Sequence, residues 1–114
     1  TMVEEGIAAG HLALSHPSHP TAIVCQSDLL AAGVIFAARE LDLRVPQDVS
    51  ITGFDGLDLP WLAPHELTTD VQDAPYKGQL LAAEVQALLD GDTPAPVDLP
   101  LTLRIGTTTA HAPK

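Results

Sequence analysis

The segment Ile51-Thr52-Gly53-Phe54-Asp55-Gly56 ends a nearly apolar run with a carboxylate, Asp55, set between two glycines. An acid so placed can form an Asx turn, serve as a general acid or base, or accept hydrogen bonds from a ligand. Comparable polar groups follow two other apolar runs: Ser27-Asp28 after TAIVCQ, and Gln72-Asp73 after LTTDV. Short carboxylates and an amide suit a small polyol, because carboxylates accept from hydroxyls while Gln both donates and accepts. Each residue also has an ordinary structural use. Ser27 and Asp28 are favoured helix N-caps, Asp55 suits a turn, and Gln72 suits an exposed strand position.

Other chemistries find less support. Asp28 and Asp55 are the available acid pair, but no base or nucleophile accompanies them in sequence, so no enzyme is expected. GFDG lacks the glycine spacing and the lysine of a phosphate loop. His11, His16 and His19 raise the question of a metal. The latter two sit among prolines with no carboxylate at ligand spacing, so solvated loop histidines, no metal and no cofactor are expected. Cys25, the only cysteine, lies inside an apolar run and reads as an inert buried thiol. Trp61, in LPWLAP, either edges a ligand pocket or covers the sheet.

The 114 residues suffice for one domain with a modest core, and 46% of them are hydrophobic. Fifteen acids against five Lys and Arg give a formal net charge of −10. The five bases (Arg39, Arg44, Lys77, Arg104 and Lys114) are scattered along the chain. Such a chain repels phosphate backbones, so nucleic acid is not expected as its direct partner. No apolar run approaches the ~20 residues of a membrane span, and the opening TMVEEGIAAG lacks a basic-then-apolar export signal. That opening reads as a tag scar or a cut inside a longer protein.

These polar groups must be carried by regular elements. Residues 3–14 predict a short amphipathic helix with Val3, Ile7, Leu12 and Leu14 on one side. The prolines of SHPSHPT break it, and 21–26 predict a strand buried on both faces. A helix over about 29–41 follows, its Leu30, Val34, Ala37 and Leu41 at helical spacing. Gly33 in its middle costs about 1 kcal/mol relative to Ala, which close approach to another surface would justify. VSITGF is a second buried strand, and strand–helix–strand at this length implies parallel strands with a right-handed crossover.

LTTDVQ predicts a third strand, while GLDLPWLAPHE before it is too Pro-rich for a regular element. Asp73-Ala74-Pro75 opens a helix with Leu81, Val85, Leu88 and Leu89 as its apolar stripe and Gly91 as its stop. Val97 to Ile105 alternates as a half-exposed edge strand. The class is therefore α/β with a parallel sheet. In such sheets ligands bind beyond the carboxyl ends of the strands, where Ser27-Asp28, Asp55 and Gln72-Asp73 all fall.

The order PTAIVCQSDLLAAGVIFAARELDLRVPQDVSITGFDGLDL, then LTTDVQD, then LTLRIGTT, resembles the C-terminal part of the LacI/GalR family of bacterial transcription regulators. The similarity runs from about Thr21 to Thr108 and rests on the SD helix start, RVPQDVS, GFD, LTT with the following Gln, and the late Arg104. It implies a three-layer, flavodoxin-like or periplasmic-binding-protein-like subdomain, present as an incomplete fragment. Residues 1–66 and 97–108 would form the C-terminal subdomain. The helix over about 73–92 would pack on an N-terminal subdomain that, like the helix-turn-helix headpiece, is absent.

In similar proteins a small effector, commonly sugar or nucleoside-like, binds between two subdomains and shifts the balance between DNA-binding states. Carried over, the effector-binding residues are Asp55, Gln72, Ser27 and Asp28, with Asp28 mainly structural in the family, and Ala74 and Trp61 at the pocket edge. Ser27 stands where the family often has Asn, and Ala74 where some sugar-responsive members have an aromatic ring. The resemblance also implies a homodimer, cytoplasmic, with Leu30, Val34 and Ala37 at its interface, reaching DNA only through the headpiece. Alone, the chain would expose the Leu81/Val85/Leu88 stripe and dimerise or swap elements to cover it. The alternative is a periplasmic sugar-binding transport protein of the same fold.

Overall fold

The computed structural model describes residues 1–114. Helix α1 (Met2–Leu14) starts on a Thr1 cap, and the Thr1 amino group donates to Glu4 Oε2 at 2.7 Å. Strand β1 (Ala22–Val24) leads into α2 (Asp28–Glu40), whose N-cap is Ser27. Strand β2 (Ser50–Asp55), a 3-10 turn at Pro60–Leu62, strand β3 (Thr68–Val71), helix α3 (Ala74–Leu89) and strand β4 (Thr102–Arg104) complete the chain. The sheet order is β1-β2-β3-β4, with the first three strands parallel and β4 antiparallel to β3.

Helices α1 and α2 cross backbone to backbone. A Cβ on Gly33 would lie 2.2 Å from the Val3 carbonyl oxygen, and one on Gly6 would lie 2.3 Å from that of Leu30. That contact supplies the close approach the central glycine of α2 called for. It also corrects two expectations. The inner face of α1 is Gly6, Gly10 and Leu14, while Leu12 is 85% exposed, because small residues rather than an apolar stripe permit this spacing. Val34 and Ala37, expected at a dimer surface, are buried in the chain itself: Gly10 sits against both. Ala37 is 0% exposed and has no surface to offer a second chain. Leu30, on the same helix face, is half-buried and presents its carbonyl to Gly6.

The core lies between α2 and the sheet, around Ala31, Ile35, Ala38, Val49, Ile51, Leu62 and Leu67. Thr108 closes it from the C-terminal end, donating from Oγ1 to the Ile51 carbonyl at 2.7 Å and accepting from Thr68 N at 3.0 Å. Only one face of the sheet is covered by these helices. On the other, Val24 is 84% exposed, so β1 is not buried on both faces within this chain. The chain thus supplies two of the expected layers.

Strand β4 is shorter than the alternation over 97–105 suggested. Its partner β3 ends at Val71, level with Thr102, and the residues before Thr102 have nothing to pair with. Helix α3 starts as expected, with Asp73 Oδ1 accepting from Tyr76 N at 3.0 Å. None of its residues is buried, and its apolar stripe is bare, with Leu81 52% exposed.

Candidate functional site

The three parallel strands deliver their carboxyl ends to one edge, with Val24 level with Thr52 and Asp55 level with Val71. At this edge Asp55 has φ 120°, a backbone region that normally needs glycine and costs roughly 1–3 kcal/mol for other residues. Gly56 follows at φ 77°, where a Cβ would meet Val71 Cα at 2.8 Å. The turn is therefore tight against β3. Two bonds hold Asp55 to the neighbouring strand end: Gln72 N donates to its carbonyl at 3.1 Å, and Gln72 Nε2 donates to Oδ1 at 2.9 Å. The second carboxylate oxygen accepts no hydrogen bond from the chain.

Gln72 in turn accepts at Oε1 from Lys77 Nζ at 3.5 Å. Arg104 Nη2 donates to the Leu57 carbonyl at 3.1 Å, just past Asp55. A groove of about 740 Å³ runs from Gln72 past Tyr76 and Lys77 to Leu101 and Arg104. Two of the bases scattered in sequence are thus brought together by the fold.

The other candidates divide. Ser27 lies at the same edge, but its Oγ is occupied in capping α2, accepting from Leu30 N at 3.2 Å. Asp28 is not the cap and is not available to an effector. It is 0% exposed, with Oδ1 accepting from Thr69 Oγ1 at 2.6 Å and Oδ2 accepting from Leu57 N at 2.6 Å. Gly53 makes room for it, since a Cβ there would lie 2.3 Å from Asp28 Oδ1. Asp28 therefore positions the site by tying α2 to β3 and to the loop that follows Asp55.

Trp61 is no pocket edge either. Its ring lies 5.9 Å from that of Phe36 on α2, with Arg39 stacked on Phe36 at 5.1 Å, so it packs on the helix instead. Ala74, the first residue of α3, is exposed beside Gln72 and donates from N to the Gln72 carbonyl at 3.1 Å.

Burial pushes the Cys25 thiol up to about 11, which keeps it protonated and unreactive near neutrality. His11 Nε2 faces Glu40 Oε2 at 2.6 Å, His16 pairs with Ser18, and His19 donates to the Pro20 carbonyl. No three His, Cys, Asp or Glu side chains are grouped to hold a metal ion. Two functional partners were not singled out from sequence, Thr69 and Lys77. Thr69 is level with Gly53, a register that no signal within its own strand gives, whereas Lys77 follows the Asp73 cap by one helical turn.

The model of the periplasmic binding protein-like domain family matches residues 2–109. The chain belongs to that family. Among relatives by sequence, the HTH-type transcriptional regulator MalR of Streptomyces coelicolor is 49% identical over 78 residues, covering 67% of this chain and 22% of the relative. A LacI family transcriptional regulator from Bifidobacterium animalis superposes with a TM-score of 0.87 at 29% identity, over 96% of this chain and 41% of its own. The lac repressor dimer bound to operator and the anti-inducer ONPF gives a TM-score of 0.85 at 29% identity, over 94% of this chain and 38% of its own. The chain is thus similar to part of a LacI/GalR-type regulator: its aligned stretch covers about a fifth of MalR, and its fold about two-fifths of the superposed regulators. Within this domain Asp55 and Gln72 stand together at the carboxyl ends of the parallel strands.

Proposed function

We propose that this chain is the effector-sensing part of a bacterial LacI/GalR-type transcription regulator. A small polyhydroxylated effector, sugar or nucleoside-like, binds at the Asp55–Gln72 edge, and its preference for one domain arrangement shifts the DNA-binding state of a separate helix-turn-helix. The working unit is a cytoplasmic homodimer that contacts DNA only through that headpiece. The names of its relatives support regulation over sugar transport, and no helix is long and apolar enough to cross a membrane.

One observation carries the ligand site. Asp55 occupies a strained backbone position with one oxygen fixed by Gln72 and the other free. Strain that the surroundings maintain at a strand end is characteristic of a binding group rather than of a plain turn. A thermal-shift screen of sugars and nucleosides on the intact protein identifies the effector, and calorimetry then compares Asp55→Asn with the wild type. The expected loss is about 1.5–3 kcal/mol of binding, the range for a hydrogen bond to a charged group. Unchanged affinity returns Asp55 to the role of turn-former.

A further inference from the structure

The groove between the start of α3 and the approach to β4 has a volume within the range of small-molecule sites. It shares Gln72 with the Asp55 pair. Two features set it apart from the rest of the surface. The chain has five Lys and Arg against fifteen acids, yet two of the five, Lys77 and Arg104, line this groove, Arg104 standing between it and the hollow under Leu57–Leu67. Neither is neutralised by a carboxylate of the chain. The side-chain ion pairs are Arg44–Asp48 and His11–Glu40, and Arg39 lies over Phe36. Lys77 reaches only the neutral amide oxygen of Gln72, at the outer limit of a hydrogen bond. Arg104 gives one nitrogen to the Leu57 carbonyl, which leaves the rest of its guanidinium fork unused. The one acid in the groove wall, Asp73, turns an oxygen to the α3 cap.

We infer that this groove takes an anionic polyhydroxy compound, with hydroxyls on Asp55 and Gln72 and a phosphate or carboxylate on Lys77 and Arg104. In a chain of net charge −10, a long-range field that repels anions must be overcome locally. Two cations with no carboxylate partner in the chain supply that attraction next to the hydroxyl acceptor. The Arg fork matches either oxyanion with paired donors, and the Lys ammonium adds a point charge. This inference rests on the cleft reading above and adds the charge of the ligand to it.

The intact protein is titrated calorimetrically with matched pairs: glucose and glucose 6-phosphate, galactose and galacturonate, inosine and inosine 5′-monophosphate. Inorganic phosphate alone is the control. Lys77 is exposed, so its replacement leaves the fold in place. The anionic member of one pair should bind at least about tenfold more tightly than its neutral partner, the scale of one charge-assisted contact. Lys77→Met should remove most of that ratio, Lys77→Arg should keep it, and added KCl should weaken the anionic ligand only. Equal binding within every pair, or a ratio that Lys77→Met leaves intact, overturns the anionic subsite. So does inorganic phosphate binding as tightly as a sugar phosphate. A neutral ligand that binds as tightly as its anionic partner, and whose binding Asp55→Asn weakens, rejects the anionic subsite while leaving the cleft reading standing. Binding by no member of the panel rejects both.

Discussion

Asp28→Ala is expected to be among the most damaging single changes in the chain, although it alters neither the apolar core nor a glycine. The carboxylate accepts at 2.6 Å from the Thr69 hydroxyl and at 2.6 Å from Leu57 N. Hydrogen bonds to a charged group contribute about 1.5–3 kcal/mol each. Thr69 is fully enclosed, so its hydroxyl would be left with no acceptor of comparable strength, whereas Leu57 N is partly reachable by water. The expected loss is therefore about 3–4 kcal/mol, below the sum of two full bonds. Asp28→Asn keeps the shape. Its amide oxygen serves Leu57 N and its NH2 donates to Thr69 Oγ1, so the loss falls to about 1–2 kcal/mol. Thr69→Val removes the same bond from the other side, and combined with Asp28→Ala it should cost little more than Asp28→Ala alone. The resulting coupling is about 1.5 kcal/mol or more. Urea unfolding at fixed protein concentration, followed by the fluorescence of the single Trp61 and compared at a common m-value, measures all four species. A loss below about 1 kcal/mol for Asp28→Ala, or strict additivity with Thr69→Val, refutes the assignment of Asp28 as the clamp between α2, β3 and the loop after Asp55.

Gly33→Ala should destabilise despite the higher helix propensity of alanine. The new Cβ would lie 2.2 Å from a backbone oxygen of α1, so a gain of about 1 kcal/mol is outweighed and a net loss of about 2 kcal/mol is expected in the same urea assay. Acid should weaken the turn after α2. The Arg44 side chain, then its backbone N–H, holds the Asp48 carboxyl down at about 2 from an ordinary value of 3.8. A folded value below the unfolded one adds stability above pH 3.8 that is lost as pH falls toward about 2. Arg44→Gln should therefore flatten that part of the stability–pH curve, and an unchanged slope would count against the pair. The bare stripe on α3 should make the 114-residue chain self-associate, with Leu81→Glu shifting it toward monomer in sedimentation velocity. A monomeric wild type at high concentration would show that the stripe is tolerated in water.

The parallel sheet and the α2 crossover were legible because their signals are local. Buried β-branched runs, a Ser-Asp start and a Pro break each fix a boundary within the segment that contains it. The helix α3 was legible for the same reason, from Asp73, Pro75 and Gly91. What sequence periodicity did not reveal is what depends on a second element. Gly6 and Gly10 look like interruptions of a stripe in α1, and only the crossing with Gly33 shows that they are its contact face. The length of β4 is set by where β3 stops, not by its own alternation. Val34 and Ala37 have the same spacing whether they meet another chain or α1, so burial had to come from the partner helix. Trp61 likewise carries a ring fit for a ligand, and the position of Phe36 decides its use.

The two strand-end aspartates show how far residue type alone carries. Asp28 and Asp55 each follow an apolar strand, and both were candidates to hold a ligand. The environment drives them to opposite uses. Asp28 sits over a glycine, Gly53, with both oxygens consumed by a hydroxyl and an amide of neighbouring elements, so nothing of it is left for a ligand. Asp55 lies at the far end of the strand that carries Gly53, in a backbone conformation that favours glycine, with a single oxygen restrained. Folding gains only the Gln72 bond from a side chain at φ 120°, where glycine would avoid the backbone strain. An acid at that position is what the proposed ligand role of Asp55 would require. The test separates the two terms: Asp55→Gly relieves the backbone strain but gives up the Gln72 bond, so stability should change by no more than about 1 kcal/mol while effector binding is lost. A glycine variant less stable than the wild type by about 2 kcal/mol or more would instead make the Asp55–Gln72 bond the reason the acid is there.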